Sequence, residues 1–291
     1  MITLPDNKGY KNNDYIIRDG EVRPVAELDA LMAKADRKEV YEVLRIKGGI
    51  PVFPHEHYER FVHSFKLIGR QCLVTEEEFC AQIEELVRLC EVDDQNVRIE
   101  QYIDEEDGKE HIYMYLIPTH YPTAENYRDG VTVGYLHGER NNPQAKISDV
   151  ALRERADQAL IDSGFFEVML VNHNGEITEG SRTNFFFIKG DTVIASPADT
   201  ILPGITRLMV LKILEEHHIP YVEQTVRADS LDQFDAAFLT ATSPNVLPVA
   251  RAAGFDKPGM DGRDVTFDAN NKLLRDLMQW FKEEALAEAD D

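Results

Sequence analysis

Three segments carry residue types at spacings that could do chemistry. In LPGITR (Leu202 to Arg207), Gly204, Ile205 and Thr206 stand at the start of an expected helix. Backbone N–H groups, a hydroxyl and the positive end of the helix would there suit a phosphate, although a Pro-Gly helix cap explains the same geometry. In GEITEGSRTNFFFI (Gly175 to Ile188), Glu179 ends a short strand. It is either the usual exposed glutamate or a carboxylate set beside a reacting group. In PQAK, Lys146 offers an amine that a partly desolvated site would turn into a nucleophile toward an aldehyde, but one lysine among thirteen is ordinarily a solvated surface charge and nothing in its own surroundings selects it.

Arg60 in HEHYERF reads by itself as a surface helix arginine, and Arg140, six residues before Lys146, as a guanidinium fork for a substrate carboxylate or a local acid. Thr242 in FLTAT and Leu202 read equally as strand and core residues, Tyr41 in VYEV as packing or as a phenol that orients a carboxylate. Asn184 either fixes nearby loops or simply begins a strand after a turn. The nine histidines, His55 and His57 included, show no ligand spacing, so no metal is expected. Cys72, Cys80 and Cys90 fit neither a disulfide framework nor a zinc site.

The elements that would position these residues follow from periodicity. Glu39 to Ile46, the Gly48-Gly49 turn and Ile50 to Phe53 read as a hairpin, and His55 to Ile68 as a helix. Thr75 and Glu78 stand at capping-box spacing ahead of a second amphipathic helix. Val97, Ile99, Gln101 and Ile103 alternate on one strand face, and His111 to Ile117 is a further strand. Residues 118–130, with two prolines, suggest a linker. The domains are therefore drawn as 1–120, a linker at 121–130, and 131–291. The second part opens with a strand at 131–136 and a helix from Asp149 to Asp162. Strands follow at 165–171, 176–178, 184–188 and 236–242, with helices from Thr206 to about Leu214 and from Asn270 to Leu286. Asn174-Gly175 predicts a type I′ turn. Mixed elements without regular βα alternation argue an α+β fold.

Taken in order, VYEVLRI, HEHYERF, the PQAK run, GEITEGSRTNFFFI, ILPGITR and FLTATSPNVLPV resemble the class IV aminotransferase family. These are fold-type IV pyridoxal-phosphate enzymes that include branched-chain and D-amino-acid aminotransferases and aminodeoxychorismate lyase. The resemblance implies a two-domain D-amino-acid-aminotransferase-like fold, with a smaller N-terminal α/β sandwich and a larger C-terminal β-barrel-like domain with helices. It implies pyridoxal 5′-phosphate as cofactor and Lys146 as the lysine that holds it and shuttles the substrate's proton. Glu179 would stand beside the ring nitrogen. Gly204, Ile205, Thr206, Thr242 and Arg60 would hold the phosphate, with Leu202 against the ring. Tyr41 would lie on the substrate side, and Arg140 is a further substrate-binding candidate.

The implied reaction moves an amino group between an amino acid, branched-chain-like or otherwise small, and a 2-oxo acid. Alternatives are 4-amino-4-deoxychorismate lyase and, in another class, a non-catalytic binding protein on the same fold. MYLIPTHYP lacks the closely spaced arginine and histidine of D-amino-acid aminotransferases, and VYEV departs from the Phe-Glu-Gly of branched-chain enzymes, so the substrate stays open. The family implies a homodimer. A net charge of −22 argues against nucleic acid. No apolar run approaches the ~20 residues that span a bilayer, and the N-terminus lacks a signal-peptide core, so a cytoplasmic protein is expected.

Overall fold

The computed structural model describes residues 14–28, 39–104, 107–254 and 264–287. The chain forms two compact units. One holds residues up to His120 together with Ala145–Ser148 and the residues from Ala285; the other holds Tyr121–Gln144 and Asp149–Glu284.

The first unit is an antiparallel sheet with helices on one face. Its strands are β1 (Tyr15–Arg18), β2 (Glu21–Pro24), β3 (Val40–Lys47), β4 (Ile50–Pro51), β5 (Asp94–Ile103) and β6 (Glu110–Ile117), in the order β2-β1-β6-β5-β3-β4. Helices α1 (Pro54–Leu67) and α2 (Glu76–Leu89) follow β4. The expected capping box is formed: Thr75 Oγ1 accepts from the Glu78 N–H, and Glu78 accepts from the Thr75 N–H, an arrangement worth about 1 kcal/mol. Strand alternation sends Val40, Leu44, Ile46, Val97 and Ile99 against Phe61, Phe65, Phe79 and Ile83 of the helices. The same alternation sends Tyr41, Arg98, Glu100, Tyr113 and Tyr115 to the other face.

The second unit begins with α3 (Ala124–Asp129), β7 (Val131–His137) and α4 (Val150–Ser163), whose N-cap is Asp149. It continues through β8 (Glu167–Val171), β9 (Glu176–Gly180), β10 (Asn184–Lys189), β11 (Thr192–Ala195) and α5 (Ile205–Glu216). It ends with β12 (Tyr221–Glu223), β13 (Val226–Arg227), β14 (Ala236–Ala241), β15 (Asn245–Ala252), β16 (Val265–Thr266) and α6 (Lys272–Ala287), of which residues 272–284 belong to this unit. Nine strands follow the path β12-β11-β10-β14-β15-β7-β8-β9-β13, with β16 beside β15. Tyr135, Met169, Phe185, Phe187, Leu239 and Leu247 fill its main core, and α4 covers Leu136, Val168 and Leu170.

Two sequence readings meet a different local structure. Residues 124–129, within the stretch read as a linker, form a helix because Thr123 and Asn126 cap it reciprocally. The β8–β9 hairpin does not use a type I′ turn: Gly175 has a positive φ of 78° but Asn174 does not. The Asn172 carboxamide instead accepts the N–H groups of Asn174 and Glu176, and the three-residue loop suits a turn closed by a left-handed glycine.

Candidate active-site residues

Lys146 is held in the first unit as an added edge on β3. Tyr41 donates its N–H to the Lys146 carbonyl at 3.1 Å, Ile147 bridges Val40, and Ser148 donates to the Glu39 carbonyl. The Lys146 N–H donates to Ser64 Oγ at 3.1 Å, while that hydroxyl donates to the Arg60 carbonyl of α1. Strand and helix thus both fix the lysine backbone. Its Nζ lies 4.7 Å from the Tyr41 ring centre, which puts the expected cofactor lysine in contact with the tyrosine expected on the substrate side.

Arg60 has a buried partner that the sequence reading did not foresee. Its Nε and Nη2 donate to the two oxygens of Glu42 at 2.8 and 2.6 Å, and His57 Nδ1 lies 2.8 Å from Glu42 Oε2. Glu42 is wholly buried. Burial opposes its charge, but Arg60 and His57 outweigh that and hold its pKa down at about 2. For His57, burial dominates and, with the charges of Arg60 and Lys146, lowers its pKa against the pull of Glu42. A neutral ring with its proton on Nδ1 donates to the carboxylate.

On the other face of the sheet, Arg98 stacks on Tyr41 with Cζ 4.2 Å from the ring centre. The contact follows from register: Tyr41 opposes Glu100 and Val43 opposes Arg98, which makes Tyr41 and Arg98 diagonal neighbours. Arg98 Nη2 donates to Glu39 Oε1 and Nε to Glu100 Oε2, both at 2.7 Å, and Tyr115 donates its hydroxyl to Glu100 Oε2.

In the second unit Glu179, at the end of β9, forms an ion pair with Arg140, Nε to Oε1 at 2.9 Å, angled away from an aligned hydrogen bond. Both side chains are less than a tenth exposed. Of the readings open for Arg140, pairing with a local acid is the one observed. Glu179 Oε2 also accepts the Leu202 N–H at 3.3 Å, and Asn184 Nδ2 donates to the Leu202 carbonyl at 2.9 Å. Asn184 therefore does fix a loop. A side chain at 204 would collide with Asn184 Oδ1, so glycine is required there by space, not by backbone angle. Ile205 and Thr206 are buried in the first turn of α5, whose N-terminus has no side-chain cap. Thr242 lies in the turn between β14 and β15.

Sequence reasoning missed two further groups in this unit. Glu167 is buried and accepts the N–H groups of Val168, Ser181 and Arg182 and the Ser181 hydroxyl, which fixes the turn after Glu179. Thr240 opposes Asn184 across β10 and β14, and its Oγ1 is buried with no partner among the described residues.

Residues 39–252 match the model of the family "Amino-transferase class IV". The D-alanine aminotransferase of Bacillus licheniformis is 29% identical over 81% of this chain and 87% of that protein. A Thermotoga maritima protein provisionally named a branched-chain-amino-acid aminotransferase is 30% identical over 76% of this chain and 80% of its own. Among solved structures, the branched-chain amino acid aminotransferase of Thermobaculum terrenum in its pyridoxal-phosphate form shares the fold, with TM-score 0.75, 20% identity and 94% coverage of both chains.

Proposed function

The chain belongs to the class IV aminotransferase family and is a pyridoxal-phosphate-dependent aminotransferase, and from that premise we propose the role of each residue in its site. The residues present fit the cofactor. The uncapped N-terminus of α5, against which Asn184 packs closely because residue 204 is glycine, and the Thr240 hydroxyl, without a partner among the described residues, suit a phosphate. Glu179, a buried carboxylate steadied by Arg140 and the Leu202 amide, suits a protonated ring nitrogen.

When bound, the cofactor supplies an aldehyde for the amine and an electron sink for the bond that breaks. Lys146 Nζ is the amine that would hold that aldehyde and, once free, would serve as the base and acid that moves the substrate's α-proton. Glu179 would stand beside the ring nitrogen and favour its protonated form. Ile205, Thr206 and Thr242 would hold the phosphate, and Leu202 would lie against the ring. Arg60 adds its charge while anchored by Glu42. Tyr41 borders the substrate. Arg140 steadies Glu179 and remains a candidate for the substrate carboxylate.

The observation that carries this reading is the double tether on Lys146, with β3 holding its backbone and Ser64 its amide. Such a tether fixes the point from which the flexible lysine arm extends. The curated relatives are aminotransferases, which favours transamination over the lyase reaction. Since they divide between D-alanine and branched-chain types, both enantiomers of small amino acids are the substrates to try. We further infer a cytoplasmic homodimer, as the family resemblance implies; no described helix is long and apolar enough to cross a membrane.

The test is the absorbance spectrum with pyridoxal phosphate before and after adding L- and D-amino acids. The wild type should show the yellow band of lysine-bound cofactor and bleach with its substrates, and Lys146→Ala should lack the band. A band retained by Lys146→Ala would overturn the assignment.

A further inference from the structure

We propose that the Glu39–Arg98–Glu100 cluster makes this enzyme prefer amino acids and 2-oxo acids with neutral side chains over those carrying a second carboxylate. The inference rests on Lys146 being the exchanging amine. The substrate nitrogen takes the place of Lys146 Nζ, so groups around Tyr41, whose ring centre is 4.7 Å from Nζ, border the substrate. Arg98 Cζ lies 4.2 Å from the same ring centre and hence within 8.9 Å of Nζ, about the reach of an amino acid's side chain.

An unpaired arginine there would be a receptor for a distal carboxylate. This one is already taken: Glu100 binds its Nε and Glu39 its Nη2, each at 2.7 Å, and the Tyr115 hydroxyl fixes Glu100 in turn. Two carboxylates against one guanidinium leave the cluster with an excess negative charge. Since Arg98 is 20% exposed, a distal carboxylate can approach it only by displacing Glu39 or by standing against that excess. The α-carboxylate is common to all substrates, so the penalty separates acidic from neutral side chains. Glu100 is fully buried inside β5, whereas Glu39 precedes β3, which makes Glu39 the residue to change.

The experiment compares the holoenzyme with Glu39→Gln, which keeps the shape and removes the charge. Dissociation constants for the unreactive acids glutarate and butyrate are read from their effect on the cofactor absorbance. The ratio of kcat/KM for pyruvate and 2-oxoglutarate as acceptors is measured beside them. The wild type should favour butyrate and pyruvate, and Glu39→Gln should move both ratios toward the dicarboxylate by about ten-fold. Wild-type preference for glutarate, or ratios unchanged in the variant, would overturn the proposal. Should Glu39→Gln fail to fold, the wild-type preference alone still decides. Calorimetry yields the same two constants if no cofactor band forms, so failure of the Lys146 reading is seen separately.

Discussion

Replacing Glu42 by glutamine should destabilise the protein by about 3 kcal/mol at neutral pH. The carboxylate is 0% exposed and its pKa is about 2 against an ordinary 4.5, a gap of roughly 2.5 units at about 1.36 kcal/mol each. An independent estimate agrees: removing one partner of a buried ion pair costs about 3–5 kcal/mol, because Arg60 is left charged and buried. A depressed folded pKa gives stability that is present above the unfolded value and lost as pH falls from 4.5 toward 2. The gap between wild type and Glu42→Gln should therefore be full at pH 7 and shrink on acidification. Urea denaturation of the apo-protein, followed by circular dichroism from pH 7 to pH 3, measures it. Adding Arg60→Met should restore part of the loss by removing the stranded cation. A variant within about 0.5 kcal/mol of wild type at pH 7 would refute the reasoning, since so small a cost is typical of an exposed pair.

Gly204→Ala should raise the cofactor dissociation constant at least about ten-fold, as the new methyl displaces Asn184 or the start of α5, and Asn184→Ala in the same chain should recover much of it; spectroscopic titration reads both. Arg140→Ala should lower kcat about 10- to 100-fold by releasing Glu179, with Arg140→Lys restoring part in steady-state assays. Burial disfavours the charge on His111, yet the hydrogen bonds it donates to Asp19 and Asp107 outweigh burial and raise its pKa above 6.5. That stability is fully present below pH 6.5 and lost as pH rises through the folded value. His111→Gln should thus cost less than about 1 kcal/mol at pH 6 and less still at pH 9 in thermal melts, because Asp19 is solvent-screened.

The elements that hold the site were legible because their signals are local. A capping box at Thr75, an N-cap at Asp149 and alternation along β5 each need only a few neighbouring residues. The acid partners were not legible, because their cations are remote in sequence: Glu39 and Arg98 are 59 residues apart, Glu42 and Arg60 18. A signal was nevertheless present. In VYEVLRI, Val40, Leu44 and Ile46 define the apolar face, and Glu42 occupies that face, where a charge must find a partner. Glu167 stands in the same way inside the apolar run FFEVMLV. The helix at 124–129 was obscured by prolines ahead of it, although Thr123 and Asn126 spell its reciprocal cap.

In a chain with 53 acids, what distinguishes the acids of the site is how each buried carboxylate is satisfied. Glu42 and Glu179 are each matched to a single arginine, and Glu39 and Glu100 share Arg98. Glu167 uses backbone amides and a hydroxyl instead. These solutions differ in what they permit. A carboxylate held by several backbone donors moves only if the chain moves, so Glu167 suits a fixed turn beside Glu179. A carboxylate held by a partly exposed guanidinium can give up its partner to an incoming anion, so the Glu39–Arg98 pair suits a place where substrates are distinguished. Glu42 and Arg60 are both buried and doubly hydrogen-bonded, so their pairing is kept rather than exchanged and holds α1 and the Ser64 tether in register with Lys146.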